Sequence, residues 1–201
     1  MIRNADKVFK VFKNNYVLVP LEVFGSDPYK TLISTLLSSR TKDEVTLEAS
    51  KRLFDVAPSI DDLNHTEQSF VSELIYPVGF YKTKSKQLKT LSIILIKDFN
   101  SKVPNTREEL MTLPGVGRKT ANLVLNRAFS KPAIAVDTHV HRISNMLGWV
   151  NTNTPELTEK ELNKELPKKY WKDINRLFVS IGRQYTTKPR LEKFLEDNDL
   201  I

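Results

Sequence analysis

Lys119 stands two residues beyond Gly117 in the run LPGVGRKTANLVLNRAFSKPAIAVDTH, and Asp137 closes that run with Thr138 and His139. An amine can attack an electron-poor carbon, and a carboxylate can steady a centre that becomes positive. The amine attacks only when neutral, a condition that burial or neighbouring cations bring closer. Ahead of both, Gly115 and Gly117 flank Val116 just after Pro114. Glycines there can take positive φ and let another backbone come close. The turn opens onto a helix start, whose unpaired N–H groups and dipole favour an anion. A phosphate held that way is bound without regard to base sequence. Each feature also has a plainer reading. A lysine at a helix start is ordinarily solvated. An aspartate before Thr-His-Val-His is a preferred N-cap. Gly-x-Gly serves many helix turns for steric reasons alone. On these residues alone both readings stand.

The elements that must position these groups are helices. TREELMTLPGVGRKTANLVLNRAF (106–129) reads as a capped short helix, a tight turn and a longer amphipathic helix with Ala121, Val124, Leu125 and Ala128 on one face. Tyr29, Leu32, Ile33, Leu36 and Leu37 form another face, and Val45, Ala49, Leu53 and Val56 a third. Leu88, Leu91, Ile94, Leu95 and Phe99 recur at the same period, as do Trp171, Ile174, Leu177, Phe178 and Ile181. Thr41 to Glu44 and Thr106 to Glu109 fit the capping box. Thr154 before Pro155 fits a capping hydroxyl ahead of a first-turn proline. Tyr16 to Phe24, YVLVPLEVF, is strand-like, but Pro20 interrupts it. The prolines break the pattern often enough to predict an all-α protein of about ten short helices, with a boundary near Ser130-Lys131-Pro132.

Composition narrows the partners. Of 201 residues, 40% are hydrophobic, enough for a buried core, and the net charge of +7 favours a polyanion such as nucleic acid. The chain has no cysteine, which excludes disulfides, thiolate metal sites and a catalytic thiol. The segment MIRNADKVFKVFKNN lacks the apolar core of a signal peptide, and no apolar run is long enough for a bilayer. An intracellular, cytoplasmic or nucleoid-associated monomer without a membrane partner is the expectation. His139 and His141 sit on different helix faces with no further ligands nearby, so no metal site is predicted.

LPGVGRKTANLVLNRAF followed by AIAVDTHVHRISN resembles the helix–hairpin–helix DNA glycosylases, and within them the endonuclease III family. LLSSRTKDEVTLEASKRLF (36–54) is similar to the family's early segment, and VGFYKTKSKQL (78–88) to the segment that loops into DNA. The likeness runs in the family's order along nearly the whole chain. It implies two all-α lobes with a DNA-binding cleft between them. One lobe, about 21–131, holds the hairpin, and the other joins 1–20 to 132–201.

The resemblance also implies roles. Lys119 matches the family's Schiff-base nucleophile and Asp137 its catalytic carboxylate. Such a pair removes a damaged base and then cleaves the abasic strand by β-elimination. Leu113, Gly115, Val116, Gly117 and Arg118 match the hairpin that holds the DNA backbone, and His139 supports the site. The target base must leave the stack. Arg40 stands where the family has a glutamine that fills the gap, and it can pair an orphaned base only as a donor. Phe80 stands where the bacterial pattern has a leucine wedge, and an aromatic wedge can stack between bases. Lys82, Lys84, Lys86 and Lys89 read as a mostly solvated face, with one or two near Phe80 in reach of phosphates.

Many family members end in four cysteines around a [4Fe–4S] cluster. Here IGRQYTTKPRLEKFLEDNDLI (181–201) carries Leu191, Phe194 and Leu200 at the spacing of the last three, with Gln184 or Thr186 near the first. The expectation is no iron–sulfur cluster, with apolar packing in its structural role. The expected function is base excision repair of duplex DNA carrying an oxidised pyrimidine or an abasic site. Another lesion (oxidised guanine, mismatched thymine or an alkylated base) and a non-catalytic DNA-binding hairpin are the alternatives.

Overall fold

The computed structural model describes residue 2 and residues 4–201. The chain runs through α1 (Ala5–Asn14), a 3₁₀ helix (Pro20–Phe24), α2 (Pro28–Ser38), α3 (Asp43–Val56), α4 (Ile60–His65), α5 (Gln68–Leu74) and α6 (Tyr81–Phe99). It continues through α7 (Arg107–Leu110), α8 (Arg118–Phe129), α9 (Thr138–Met146), α10 (Pro155–Glu165), α11 (Ile174–Gln184) and α12 (Lys188–Asp197). No strand occurs among the described residues. The strand-like YVLVPLEVF turns into the 3₁₀ helix at Pro20. Before that proline, Ser180 Oγ accepts from Val17 N and donates to Val17 O, both at 2.8 Å, where a partner strand would have paired.

The chain divides into two compact units. One is Pro20–Ser130, and the other combines the chain up to Val19 with Lys131–Ile201.

In the Pro20–Ser130 unit, α2 packs against α3, α6 and α8. It starts where Asp27 Oδ1 accepts from Lys30 N at 3.0 Å and Pro28 opens the first turn. Leu32, Ile33 and Leu37 are fully buried, each such side chain being worth ~2 kcal/mol. α3 departs from the expected face. Thr46, Ala49, Ser50, Leu53 and Phe54 point inward, whereas Val56 ends the helix exposed. The capping box expected at Thr41 does not form: Lys42 is the N-cap and makes no side-chain cap bond. Thr106 does cap, accepting from Glu109 N, and Ser59 with Asp62 forms a complete capping box before α4. Arg107 Nε donates to buried Asn122 Oδ1 at 2.8 Å and ties α7 to α8.

In the other unit, α1 lies on α11, which packs on α9. Phe9, Phe12 and Phe178 form its centre, with Phe9 stacked on Tyr170 at 4.2 Å and Phe12 edge-on to Phe178 at 5.0 Å. Ile174, Leu177, Phe178 and Ile181 are buried as their period predicts. Thr154 caps α10 by accepting from Leu157 N, with Pro155 in the first turn. α12 turns Leu191, Phe194 and Leu195 into the same core, and Phe194 stacks on Tyr185 at 4.3 Å.

Candidate active site

Lys119 is the second residue of α8 and is exposed. What the fold supplies is position. α7 ends, Leu113 N donates to Leu110 O and Val116 N to Leu113 O, and α8 begins at once. Gly115 takes φ +78°, and a Cβ there would stand 3.0 Å from Gln87 Oε1. Gly117, expected to share that freedom, has φ −91°, which any residue adopts. Open space surrounds its Cα, so another backbone can approach. Leu113 and Val116 turn their side chains into the core, leaving only their backbone for a ligand. Arg118 is exposed beside Lys119. Glycine turn, helix N-terminus and two exposed cations thus lie side by side, an arrangement whose charge suits an anion.

Asp137 belongs to the other unit and leads into α9. Its Oδ1 accepts from His139 N and Val140 N, each at 2.9 Å. The N-cap reading of this residue is thereby realised. Oδ2 makes no hydrogen bond among the described residues, so half of the carboxylate stays available. The segment leading to it, Ala133 to Val136, is buried, and Asn175 Nδ2 donates to Ala135 O at 3.0 Å. His139 lies half-buried against α11 over Gly182, where a Cβ would stand 2.3 Å from Nδ1. His141 bonds through Nδ1 to Thr158 Oγ1 at 2.7 Å, away from His139. The contacts of Asn175 with Ala135 and of Gly182 with His139 escaped the sequence reading. An isolated glycine in a helical run was the available signal for the second.

Arg40 and Phe80 come together within the Pro20–Ser130 unit. Both are exposed, Phe80 by 61%, which rules out a core phenylalanine. The Arg40 guanidinium lies 5.4 Å from the centre of the Phe80 ring. Both backbones are left-handed, at φ 54° and 59°, a conformation that costs a bulky residue on the order of 1 kcal/mol. Gly79 sits between them, and a Cβ there would meet Arg40 O at 2.7 Å.

The lysines that follow do not share one role. Lys82 and Lys86 are exposed, as a solvated face requires. Lys84 and Lys89 are not part of that face. Lys84 is only 7% exposed and donates to Leu37 O at 2.8 Å, Ser39 O at 2.6 Å and Thr41 Oγ1 at 3.4 Å. Burial lowers its pKa to about 8. Lys89 donates to Leu63 O and Thr66 O at 3.0 and 2.7 Å, and also to Asn64 O, capping the end of α4. Helical spacing points these two inward, and the carbonyls they meet leave no mark in sequence.

The chain has no cysteine, and no cluster of three or more His, Asp or Glu able to hold a metal occurs among the described residues. Leu191, Phe194 and Leu200 are buried apolar side chains, and Arg142 donates to Gly182 O, Tyr185 O and Thr186 O at the end of α11. This donor set does not fit an iron–sulfur cluster, whose ligands are thiolates.

The family model described as HhH-GPD superfamily base excision DNA repair protein matches residues 33–168. Endonuclease III of Thermotoga maritima is 50% identical over 180 residues, covering 90% of this chain and 81% of that protein. The structure of a trapped endonuclease III–DNA covalent intermediate superposes with a TM-score of 0.81 at 35% identity, covering 90% of this chain and 84% of that one. A non-covalent endonuclease III–DNA complex gives 0.79 at 31% identity, covering 94% and 89%.

Proposed function

The chain belongs to the HhH-GPD superfamily of base excision DNA repair proteins, and from its likeness to endonuclease III we propose that it removes oxidised pyrimidines from duplex DNA and cleaves the abasic strand left behind. It is a DNA glycosylase and abasic-site lyase. The observation that carries the mechanistic reading is the exposed Lys119 amine at the start of the helix leaving the glycine turn.

In this reading the turn and the N–H groups of α8 hold a phosphate beside the lesion. Lys119 Nζ, having lost its proton, attacks C1′, and the damaged base departs with the electron pair of its glycosidic bond. Asp137, through the oxygen left free by its cap, stabilises the cationic sugar. The attached amine gives up a proton, the C1′–O4′ bond breaks with O4′ leaving as a hydroxyl, and the nitrogen lone pair closes the double bond of a protonated Schiff base at C1′. Loss of a C2′ proton expels the 3′ phosphate, and water then releases Lys119. Bound DNA would cover the exposed amine and remove it from water. Arg40 and Phe80 fill the gap left by the extruded nucleotide.

The C-terminal segment forms part of the proposal. Leu191, Phe194 and Leu200 stabilise by apolar packing the segment that a cluster holds in cysteine-bearing relatives. Purified protein is then free of iron and acid-labile sulfide, and stoichiometric iron would contradict the packing reading.

Borohydride trapping tests the mechanism. Duplexes carrying thymine glycol, dihydrouracil, oxidised guanine, a T·G mismatch, uracil or an abasic site are incubated with the protein. A covalent adduct that disappears in Lys119→Gln supports the nucleophile, and the ranking of duplexes identifies the lesion. Absence of an adduct on every duplex sinks the Schiff-base assignment.

A further inference from the structure

Lys84 occupies an unusual place for a lysine. It is the fourth residue of α6, near the positive end of that helix, where the dipole disfavours a cation. It is also nearly buried, which disfavours it further. Its partners explain its retention. All three ammonium hydrogens have acceptors in the stretch Leu37 to Thr41, at the carboxyl end of α2. That stretch carries Arg40. The Thr41 hydroxyl, which accepts from Lys84, also donates to Ser39 O at 3.2 Å and accepts from Gly79 N at 3.0 Å. Gly79 precedes Phe80, and Phe80 O accepts from Lys84 N at 2.9 Å. The Lys84 side chain therefore braces the Arg40 turn directly and the Phe80 turn through the shared Thr41 hydroxyl, and the exposed residues of the two turns lie against each other.

Both of those residues hold left-handed backbones. Such conformations persist only where the surroundings over-determine them. The surroundings here are the Gly79 approach, the Thr41 hydroxyl and the Lys84 ammonium. We propose that Lys84 is a positioning residue that locks the turns bearing Arg40 and Phe80 into one preformed wedge, so that the pair enters DNA as a unit during base extrusion. This rests on the reading of Arg40 and Phe80 as the residues that fill the emptied stack. Lys84 touches no DNA itself and acts through them.

The test separates extrusion from chemistry. Lys84→Met keeps an unbranched side chain, one atom shorter, and removes its donors. Extrusion is read by 2-aminopurine fluorescence in a duplex beside the lesion, and chemistry by strand cleavage of a single-stranded abasic oligonucleotide that needs no extrusion. Expected is a loss of about tenfold or more in the extrusion rate and in duplex base removal, with single-strand cleavage held within about twofold. In a Phe80→Ala background, Lys84→Met then adds less than about twofold. Equal losses on both substrates, or multiplicative losses in the double variant, overturn the proposal. Thr41→Val, which removes the shared hydroxyl, gives the same pattern in a milder form and decides the matter if Lys84→Met does not fold. A wild-type protein that fails to cut the abasic strand would count against the lyase reading, while the fluorescence signal would still decide the role of Lys84.

Discussion

Gly182 on α11 lies directly beneath His139, the second residue of α9, and a Cβ on that glycine would stand 2.3 Å from the imidazole Nδ1 and 2.8 Å from Cγ. No real Cβ approaches that closely, so the histidine seat exists only because residue 182 has no side chain. The amide of the same histidine donates to Asp137 Oδ1. Crowding at Gly182 therefore reaches the carboxylate through one residue.

Gly182→Ala gains ~1 kcal/mol of helix propensity and loses ~1–3 kcal/mol to overpacking. The expected outcome is a modestly lower melting temperature. Base removal falls about tenfold and DNA affinity is little changed, because the cap geometry at Asp137 shifts. Adding His139→Ala should restore the melting temperature, measured by thermal denaturation. If the double variant is no more stable than Gly182→Ala alone, the clash lies elsewhere.

Asp137 carries two functions on two oxygens, and substitution separates them. Asparagine keeps the capping oxygen, so Asp137→Asn should melt within ~1 kcal/mol of wild type. Its base removal under single-turnover conditions should fall by about 100-fold or more, with DNA binding retained. Asp137→Ala loses the cap as well, a further ~1 kcal/mol. Unchanged base removal in Asp137→Asn would leave this residue as a cap alone.

The buried ammonium of Lys84 makes stability depend on pH in a defined direction. Burial lowers its pKa to about 8, whereas the unfolded chain holds that proton up to ~10.4. Between those values the unfolded state binds more protons, so stability rises with pH. Wild type should gain on Lys84→Met steadily as pH rises across the window, by on the order of 1 kcal/mol per pH unit at most. Tyr29, whose buried phenol is pushed above its usual range, works the opposite way at higher pH, but equally in both proteins. Urea unfolding at about pH 7.5, 8.5 and 9.5 reads the difference, and a flat difference refutes it.

Arg40 offers donors only, so the orphaned base should be one rich in acceptors. Toward the gap guanine turns the carbonyl oxygen O6, whereas adenine turns an amino donor at the same place. Excision should therefore be faster with guanine than with adenine opposite the lesion, by about tenfold. Arg40→Gln, which both donates and accepts, should reduce that ratio toward unity. A ratio unaffected by the substitution would mean that Arg40 does not read the opposite base.

What the sequence disclosed was mostly local. Thr106 and Thr154 cap helices because the amides they serve lie three residues on, within the same stretch of chain. Thr41 has the same local signature and does not cap. Its hydroxyl is taken by Gly79 and Lys84, which are distant in sequence. Lys84 and Lys89 read as solvated because backbone carbonyls, which every residue carries, are their partners. Lys119 and Asp137 could be singled out by motif, yet the division of Asp137 into a capping and a free oxygen required coordinates. The stacking of Arg40 on Phe80 joins two turns far apart in the chain, and no periodicity encodes it.

The packing of α1 against late helices bears on the order in which the molecule can assemble during synthesis. Phe9 and Phe12 leave the ribosome before the Pro20–Ser130 unit, but their partners Tyr170, Phe178 and Phe194 are made only after it. Trp149 Nε1 donates to Asn4 Oδ1, and Asn4 Nδ2 to Leu200 O, closing the same circuit. Pro20–Ser130 is a compact unit of its own, so it can fold while α1 waits with its phenylalanines exposed. During that interval α1 is an apolar segment without its core, the kind of exposed surface through which an unfinished chain aggregates.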